Sequence, residues 1–581
     1  MKRKIILLLL IPLLSLSIFA WKYYNDQEER ERERVIGQTV LFGLKSGHYL
    51  KKEINDELSK VVFDLYIESL DPTRKFLLKD DIDKLKEWRT RLDEQLGRAE
   101  FTFFDLSVEI IEQRLKEVEP IYKEVLAEPF DFKKDEEIEL DPEKQDYAAN
   151  MEELTLSWRK ALKYQTMVRL NNMIDRQEKA LEDEDTTYVK KTFAEMEKEA
   201  REKVSKRQKE WFENLEDINR SDRFTAYYNA LANAYGPHTG YYPPKLKENF
   251  DINISGKLEG IGAQLTRRDG YVNVVHIVPG SASWKQGDLK SGDKILKVAQ
   301  EEEDPVDVIG MRLDDVVELI RGEKGTEVTL TVEKADGSIK DISIIRDVVV
   351  LEETYARSAI LKRDKSNTKI GYLHLPKFYT DFNDKNGRNC SDDVAIELEK
   401  LKTENVDGLI VDLRNNGGGS LPDVVKIAGL FLDKGPVVQI KAMTGESRIM
   451  KDHKAGALYD GPLVILVNQG SASASEILAA AMQDYGRAVI VGSPSTFGKG
   501  TVQRFFDLDQ MVRAKQYEEF KPLGSIKLTT QKFYRVNGGA TQLKGVKPDI
   551  VLPDRYAYVD VGEKVYLLLR PQNTPAKTIE K

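Results

Sequence analysis

Twice in the C-terminal half of the chain, a short apolar run breaks into a loop of glycines and small polar residues, then continues as an apolar helix. Gly408-Leu409-Ile410-Val411-Asp412-Leu413 leads into Asn415-Asn416-Gly417-Gly418-Gly419-Ser420, with a helix expected from Pro422 to Leu432. Pro462-Leu463-Val464-Ile465-Leu466-Val467 leads into Gly470-Ser471-Ala472-Ser473-Ala474-Ser475-Glu476. A helix to Tyr485 follows, closed by Gly486, and then the strand Ala488-Val489-Ile490-Val491. Two such βαβ-like units require a parallel or mixed α/β sheet. Loops leaving the carboxyl ends of parallel strands share one edge, where ligands usually bind. The triple-glycine loop and the serine turn can therefore face each other.

A serine that attacks a carbonyl needs open approach, backbone N–H groups for the oxyanion, and a base. Of the three serines in the turn, only Ser473 opens an S-x-x-E pattern, with Glu476, ahead of an apolar run. As a capping box this pattern contributes about 1 kcal/mol and nothing catalytic. The same geometry places a hydroxyl beside unpaired helix N–H groups, with that of Ala474 available to an oxyanion. The candidate base is Lys499, in Thr496-Phe497-Gly498-Lys499-Gly500 directly after an apolar strand. Burial disfavours the charged amine, and a neutral lysine accepts a serine proton. Gln503, four residues on, is placed to hold the lysine amine.

Rival motifs fail on spacing. A phosphate-binding loop needs four residues between its glycines and Ser or Thr after the lysine, whereas Gly500 follows Lys499. A penicillin-binding site needs S-x-x-K and K-T-G, whereas Glu476 holds the fourth place and the later triplet is Lys499-Gly500-Thr501. His374 in Tyr372-Leu373-His374-Leu375 reads as strand filler rather than a triad base. The five histidines are scattered without metal-ligand spacing, so no metal or cofactor is expected.

The net charge of −9, from 98 acids against 89 bases, argues against nucleic acid as a partner. At the N-terminus, the basic Met1-Lys2-Arg3-Lys4 precedes an apolar run from Ile5 to Ala20. It reads as an export signal, cleaved or retained as an inner-membrane anchor. Cys390 is the only cysteine, which excludes an internal disulfide and a lipoprotein anchor.

Residues 27–225 are charged, nearly free of glycine and helical in pattern, as in Phe193-Ala194-Glu195-Met196-Glu197-Lys198-Glu199-Ala200. Asp71-Pro72 and Glu119-Pro120 mark expected turns between helices. Residues 226–251 lead onward. From 252 to 350 the chain changes to β-branched strands (Tyr271 to Val275, Val328 to Val332) around one helix, Leu313 to Ile320. Its opening segment, Gly260-Ile261-Gly262-Ala263, can present successive N–H groups to a peptide carboxylate while the peptide adds to a sheet edge. With Gly287-Asp288-Leu289-Lys290-Ser291-Gly292-Asp293 downstream, these residues resemble a PDZ domain.

Taken together, the chain resembles the C-terminal processing proteases of the bacterial tail-specific kind. The resemblance is densest in Leu258 to Leu265, Asp307 to Gly322, Ile410 to Gly419 and Ser471 to Gln503. The blocks Ala479 to Ala488 and Gln531 to Gly539 are also specific. It implies an α/β multidomain protein: a helical N-terminal domain, an inserted PDZ β-domain, and a crotonase-like ββα protease core over 351–556. It further implies a serine–lysine endopeptidase acting on exported proteins with apolar C-termini, in the bacterial envelope, with room for an adaptor protein. Ser473 would be the nucleophile, Lys499 the base and Gln503 its orienting group. Ala474 and one glycine of the 417–419 loop, taken as Gly418, would form the oxyanion hole; Gly260 to Ala263 would bind peptide. Two departures stand out. Ser493-Pro494-Ser495-Thr496 is one residue longer than the family's usual turn, which is expected to shift Lys499. The tail 557–581 does not read as the further C-terminal domain of long relatives. An inactive envelope scaffold that binds C-termini is the alternative reading. An acyl-CoA enzyme, a further rival, fits the ββα pattern but not the export signal.

Overall fold

The computed structural model describes residues 27–301, 303–362, 367–384, 386–554, 558–559 and 561–568. The apolar run 5–20, Tyr556 and residues 569–581 lie outside this range. The described chain forms two compact units. One runs to Pro244 and takes in Gln503–Thr529; the other comprises Lys245–Val502 and the chain from Thr530 onward. The span 351–556 thus contains a segment, 503–529, that belongs with the helical unit.

The first unit is helical, as the charge pattern predicts. Its longest members are Thr102–Val125, Met151–Glu182 and Phe193–Glu216. Thr192 caps the last of these, its hydroxyl accepting from Glu195 N while the Glu195 carboxylate accepts from Thr192 N. Buried aromatic rings fill the core: Phe104 stacks on Tyr227, and Trp158 on Phe212. Asp71 ends the helix Asp56–Leu70, where a turn was expected. Pro120 does not break the chain; it lies inside Thr102–Val125. Val118, Ile121 and Tyr122 are buried around it, and that packing outweighs the one backbone hydrogen bond a helical proline forgoes.

In the second unit, a six-stranded antiparallel sheet runs in the order Ala263–Arg268, Tyr271–Ile277, Lys294–Gln300, Glu327–Glu333, Ile339–Ile345, with the short Val306–Asp307 also paired to Lys294–Gln300. The helix Leu313–Ile320 packs on this sheet with Val316 and Ile320 inward. Along Glu327–Glu333 buried and half-buried residues alternate, the period of a strand with one face in a core. A two-stranded ribbon, Lys257–Gly260 with Asp347–Val350, joins this module to the rest of the unit. Tyr355 shares its hydroxyl between the carbonyls of Ser255 and Gly256, each at 3.2 Å, so one side chain ties the entry of the ribbon to its exit.

The remainder holds an antiparallel pair, Gly435–Ala442 with Ser447–Asp452, and a six-stranded sheet in the order Arg357–Lys362, Lys369–His374, Gly408–Asp412, Leu463–Val467, Val489–Gly492, Ile550–Val551. The first pair of this sheet is antiparallel and all later pairs are parallel. The helices Cys390–Thr403, Leu421–Gly429 and Ala474–Asp484 bury their apolar faces in one core with Leu409, Val411, Ile465 and Ile490. Among the described residues, no helix is long and apolar enough to cross a membrane.

Candidate active site

Parallel register decides which loops meet. Val411 pairs with Ile465 and Ile465 with Ile490, so three neighbouring strands end together. The triple-glycine loop, the serine turn and the loop carrying Lys499 leave those three ends at one sheet edge. Asn415 and Asn468 join the first two loops: Asn468 Nδ2 donates to Asn415 Oδ1, and Asn415 N to Asn468 Oδ1, both at 2.8 Å. Asn416, fully buried, joins them again, its carbonyl accepting from Ala472 N at 3.0 Å.

The three serines separate by what their hydroxyls do. Ser471 Oγ donates to Leu413 O at 2.8 Å and accepts from Asn468 N. Ser475 Oγ donates to Asn416 O at 2.8 Å. Both are fully buried joints of the loop framework. Ser473 is only partly buried, and its side chain makes no cap hydrogen bond. Its backbone stands at φ 56° and ψ −111°, a sparsely populated region for a non-glycine residue that costs about 1–3 kcal/mol. A sharp strand-to-helix turn of this kind lifts a nucleophile clear of its sheet. The strain is held by Glu476, whose carboxylate accepts from Ser473 N at 2.8 Å.

Lys499 is half-buried on a loop fixed at each consecutive amide. Thr496 N donates to Val546 O, and Phe497 N to Ser471 O. Gly498 N and Lys499 N donate to Glu476, and Gly500 N to Gln542 Oε1. The run Ser493 to Thr496 therefore ends in a loop tied directly to the serine turn. Ser473, Ala474 and Lys499 are all carried at the same edge.

Gly418 stands against Ser473. A Cβ at this position would lie 2.8 Å from Ser473 Cβ and 3.1 Å from Ala474 N, and its φ is +102°. Its own N–H donates to Asn416 Oδ1 at 2.9 Å. In this conformation that donor is engaged, so a role in the oxyanion hole requires the amide to turn. Gln503 opens the segment belonging to the helical unit, where its Nε2 donates to Thr529 Oγ1 at 3.1 Å. His374 lines a separate cavity of about 500 Å³ with Tyr372, Asp412, Arg414 and Asp554; neither Ser473 nor Lys499 borders it.

Sequence reasoning missed the full role of Glu476. It read as one half of a capping box, yet it is fully buried and accepts four hydrogen bonds, the fourth from Thr496 Oγ1 at 2.7 Å. Burial pushes its carboxyl up to about 7, against the pull of those donors. The S-x-x-E spacing was the visible signal; its partners at 496–499 come from the loop after another strand.

In the six-stranded antiparallel module, Ala263–Arg268 is an edge strand, paired among the described residues only with Tyr271–Ile277. The carbonyls of Ile261 and Gly262 accept from Ser283 N and Val278 N, at 2.8 and 2.9 Å. A trans peptide points its N–H opposite to its C=O, so the N–H groups of Gly262 and Ala263 face away from these contacts. Gly262 has φ +76°, and a Cβ there would meet Ser281 Cβ at 2.1 Å. Gly260 closes the preceding strand, and Ile261 is buried in the module's core. An unpaired strand edge beside outward N–H groups is the geometry that strand addition requires.

Three family models match in succession: the tail specific protease N-terminal domain over residues 40–245, the PDZ domain over 251–333, and peptidase family S41 over 369–552. The tail-specific protease of Haemophilus influenzae is 36% identical over 529 residues, spanning 90% of this chain and 70% of that protein. The chain belongs to the C-terminal processing protease family. A second member, the carboxy-terminal processing protease CtpA of Bacillus subtilis, is 33% identical over 57% of this chain and 64% of its own length. Among solved structures, the photosystem II D1 C-terminal processing protease is 26% identical, covering 63% of this chain and 92% of that one, with a TM-score of 0.33. This C-terminal processing protease is thus a serine-type peptidase with a helical N-terminal domain, a PDZ domain and an S41 core. Among the described residues, no group of three or more His, Cys, Asp or Glu is arranged to hold a metal ion.

Proposed function

We propose that the protein cleaves exported proteins selected by an apolar C-terminal tail, through a Ser473–Lys499 dyad. One observation carries the assignment. Of the three serines in the turn, Ser473 alone has a hydroxyl not spent on the loop framework, and it stands at a strained turn beside the loop bearing Lys499. In the proposed reaction, neutral Lys499 takes the proton from Ser473 Oγ as that oxygen bonds to the scissile carbonyl carbon. The Ala474 N–H stabilises the resulting oxyanion. Collapse breaks the C–N bond, and the Lys499 ammonium returns its proton to the leaving amine. Water, deprotonated by Lys499, then cleaves the acyl ester and restores Ser473.

The PDZ module supplies the substrate. Its free edge strand and the turned amides after Ile261 support docking of a C-terminal tail along Ala263–Arg268. The basic and apolar N-terminal segment supports a place in the bacterial cell envelope, anchored or released. The roles of Gln503 as the lysine's orienting group and of Gly418 as an oxyanion donor belong to the same proposal. A reporter protein bearing an apolar or a charged C-terminal tail tests it, with wild type, Ser473→Ala and Lys499→Ala side by side. Cleavage of the apolar-tailed reporter by wild type alone is expected. Tail binding without cleavage by wild type would favour the scaffold reading instead.

A further inference from the structure

We propose that Glu476 is a positioning residue whose charged carboxylate latches the Lys499 loop onto the Ser473 turn, adding to the Phe497 N to Ser471 O bond one anion that holds the backbones of base and nucleophile together. The proposal rests on the serine–lysine reading above and extends it. Oε2 accepts from Ser473 N at 2.8 Å and from Lys499 N at 3.0 Å. Oε1 accepts from Thr496 Oγ1 and Gly498 N, each at 2.7 Å. Each oxygen thus serves two donors. Oε2 alone bonds the backbones of both dyad residues, which lie on loops leaving different strands.

All four contacts donate toward Glu476, so the pocket is built for an acceptor without a proton. A protonated carboxyl must point its O–H at a donor and give up at least one of these bonds. A glutamine fails for the same reason, because its NH2 would face two donors whichever way the amide is turned. A helix cap needs only the contact to Ser473 N; three bonds to residues 496–499 exceed what capping explains. The helix of Glu476 ends at Asp484, which pairs with Arg535. Glu563, whose amide donates to Phe497 O, accepts at its carboxylate from Gln542 Nε2. On the facing loop, the titratable side chain is that of Lys499 itself. Burial pushes the Glu476 carboxyl up to about 7, so its charge changes within an accessible pH range.

The latch has a kinetic signature that a merely structural glutamate lacks. In wild type, two groups must lose protons before cleavage, Glu476 for the latch and Lys499 for the base. The acid limb of log kcat/KM against pH then steepens toward a slope of two. In Glu476→Gln only Lys499 titrates, and the limb has a slope of one. Misplacement of a reacting group by about 1 Å costs roughly 100-fold, so kcat for Glu476→Gln is expected to fall by about that factor with KM little changed. Glu476→Asp keeps the charge, and is expected to recover part of kcat and the steeper limb. Hydrogen exchange of the peptide covering 496–500 reads the latch without catalysis: protection falls in Glu476→Gln and is partly restored in Glu476→Asp. Wild-type kcat, slope and protection in Glu476→Gln would overturn the proposal. So would a lowered Tm with unaltered slope and protection, which assigns Glu476 to stability alone. If wild type itself does not cleave, the serine–lysine reading fails, and exchange at 496–500 still decides the latch.

Discussion

Activity and stability should respond to pH in opposite directions around Glu476. The carboxyl is fully buried, and its pKa rises from 4.5 to about 7 because burial disfavours the charge more than four donors favour it. In the unfolded chain the group titrates near its ordinary value. Between roughly pH 4.5 and 7 the folded state therefore holds a proton that the unfolded state has released. Stability must fall as pH rises through that window, because the native state binds more protons. The shift corresponds to about 3 kcal/mol, at roughly 1.4 kcal/mol per pKa unit, fully present below pH 4.5 and lost above 7. Native-state hydrogen exchange of the helix Ala474–Asp484, corrected for intrinsic exchange rates, measures it directly. Wild type should lose about 3 kcal/mol of protection between pH 4.5 and 7.5 relative to Glu476→Gln. The difference between the two proteins removes the contributions of other titrating groups. A difference that stays flat or grows with pH would refute the reasoning, because the folded-state carboxyl would then be unshifted or depressed.

Other expectations follow from single contacts. Gly418→Ala places a Cβ 2.9 Å from Ala472 O and 2.8 Å from Ser473 Cβ; cleavage should drop about 100-fold, the scale of a reacting group displaced by about 1 Å, while peptide binding to the PDZ module is unchanged. Unaltered cleavage would remove Gly418 from the site. Gly262→Ala meets Ser281 at a backbone φ of +76°, so fluorescence anisotropy should show at least about tenfold weaker binding of an apolar C-terminal peptide; an unchanged Kd would place tail recognition elsewhere. Ser475→Ala loses the hydrogen bond to Asn416 O and should cost about 1 kcal/mol in urea unfolding while retaining cleavage. Inactivity equal to that of Ser473→Ala in a folded protein would reopen the choice of nucleophile.

Much of the core was legible because its signals are local. The helix expected at Leu313 to Ile320 is found there, and the strand expected from Pro462 forms over Leu463–Val467. The edge shared by the glycine loop and the serine turn followed from strand–loop–helix order alone, since parallel strands must return the same way round; that the lysine loop joins them there came from the structure. What escaped was set by contacts between distant segments. Pro120 was expected to end a helix, because the rule for proline is local and the burial of Val118 and Tyr122 is not. The return of residues 503–529 to the helical unit carries no compositional mark. The short strand Ile550–Val551 pairs with Val489–Gly492 far upstream, and two residues offer no readable period. Glu476 was seen only as a cap, for its other donors arrive from a loop more than a strand away.

The central claim is that Ser473 forms a covalent acyl-enzyme, and trapping that species tests it most directly. Wild-type protein mixed with an apolar-tailed substrate, quenched in acid during turnover and digested, should show the acyl mass on the peptide containing Ser473. Lys499→Ala should bind the same tail and show no adduct. An adduct on another residue, or efficient cleavage by folded Ser473→Ala, would contradict the account.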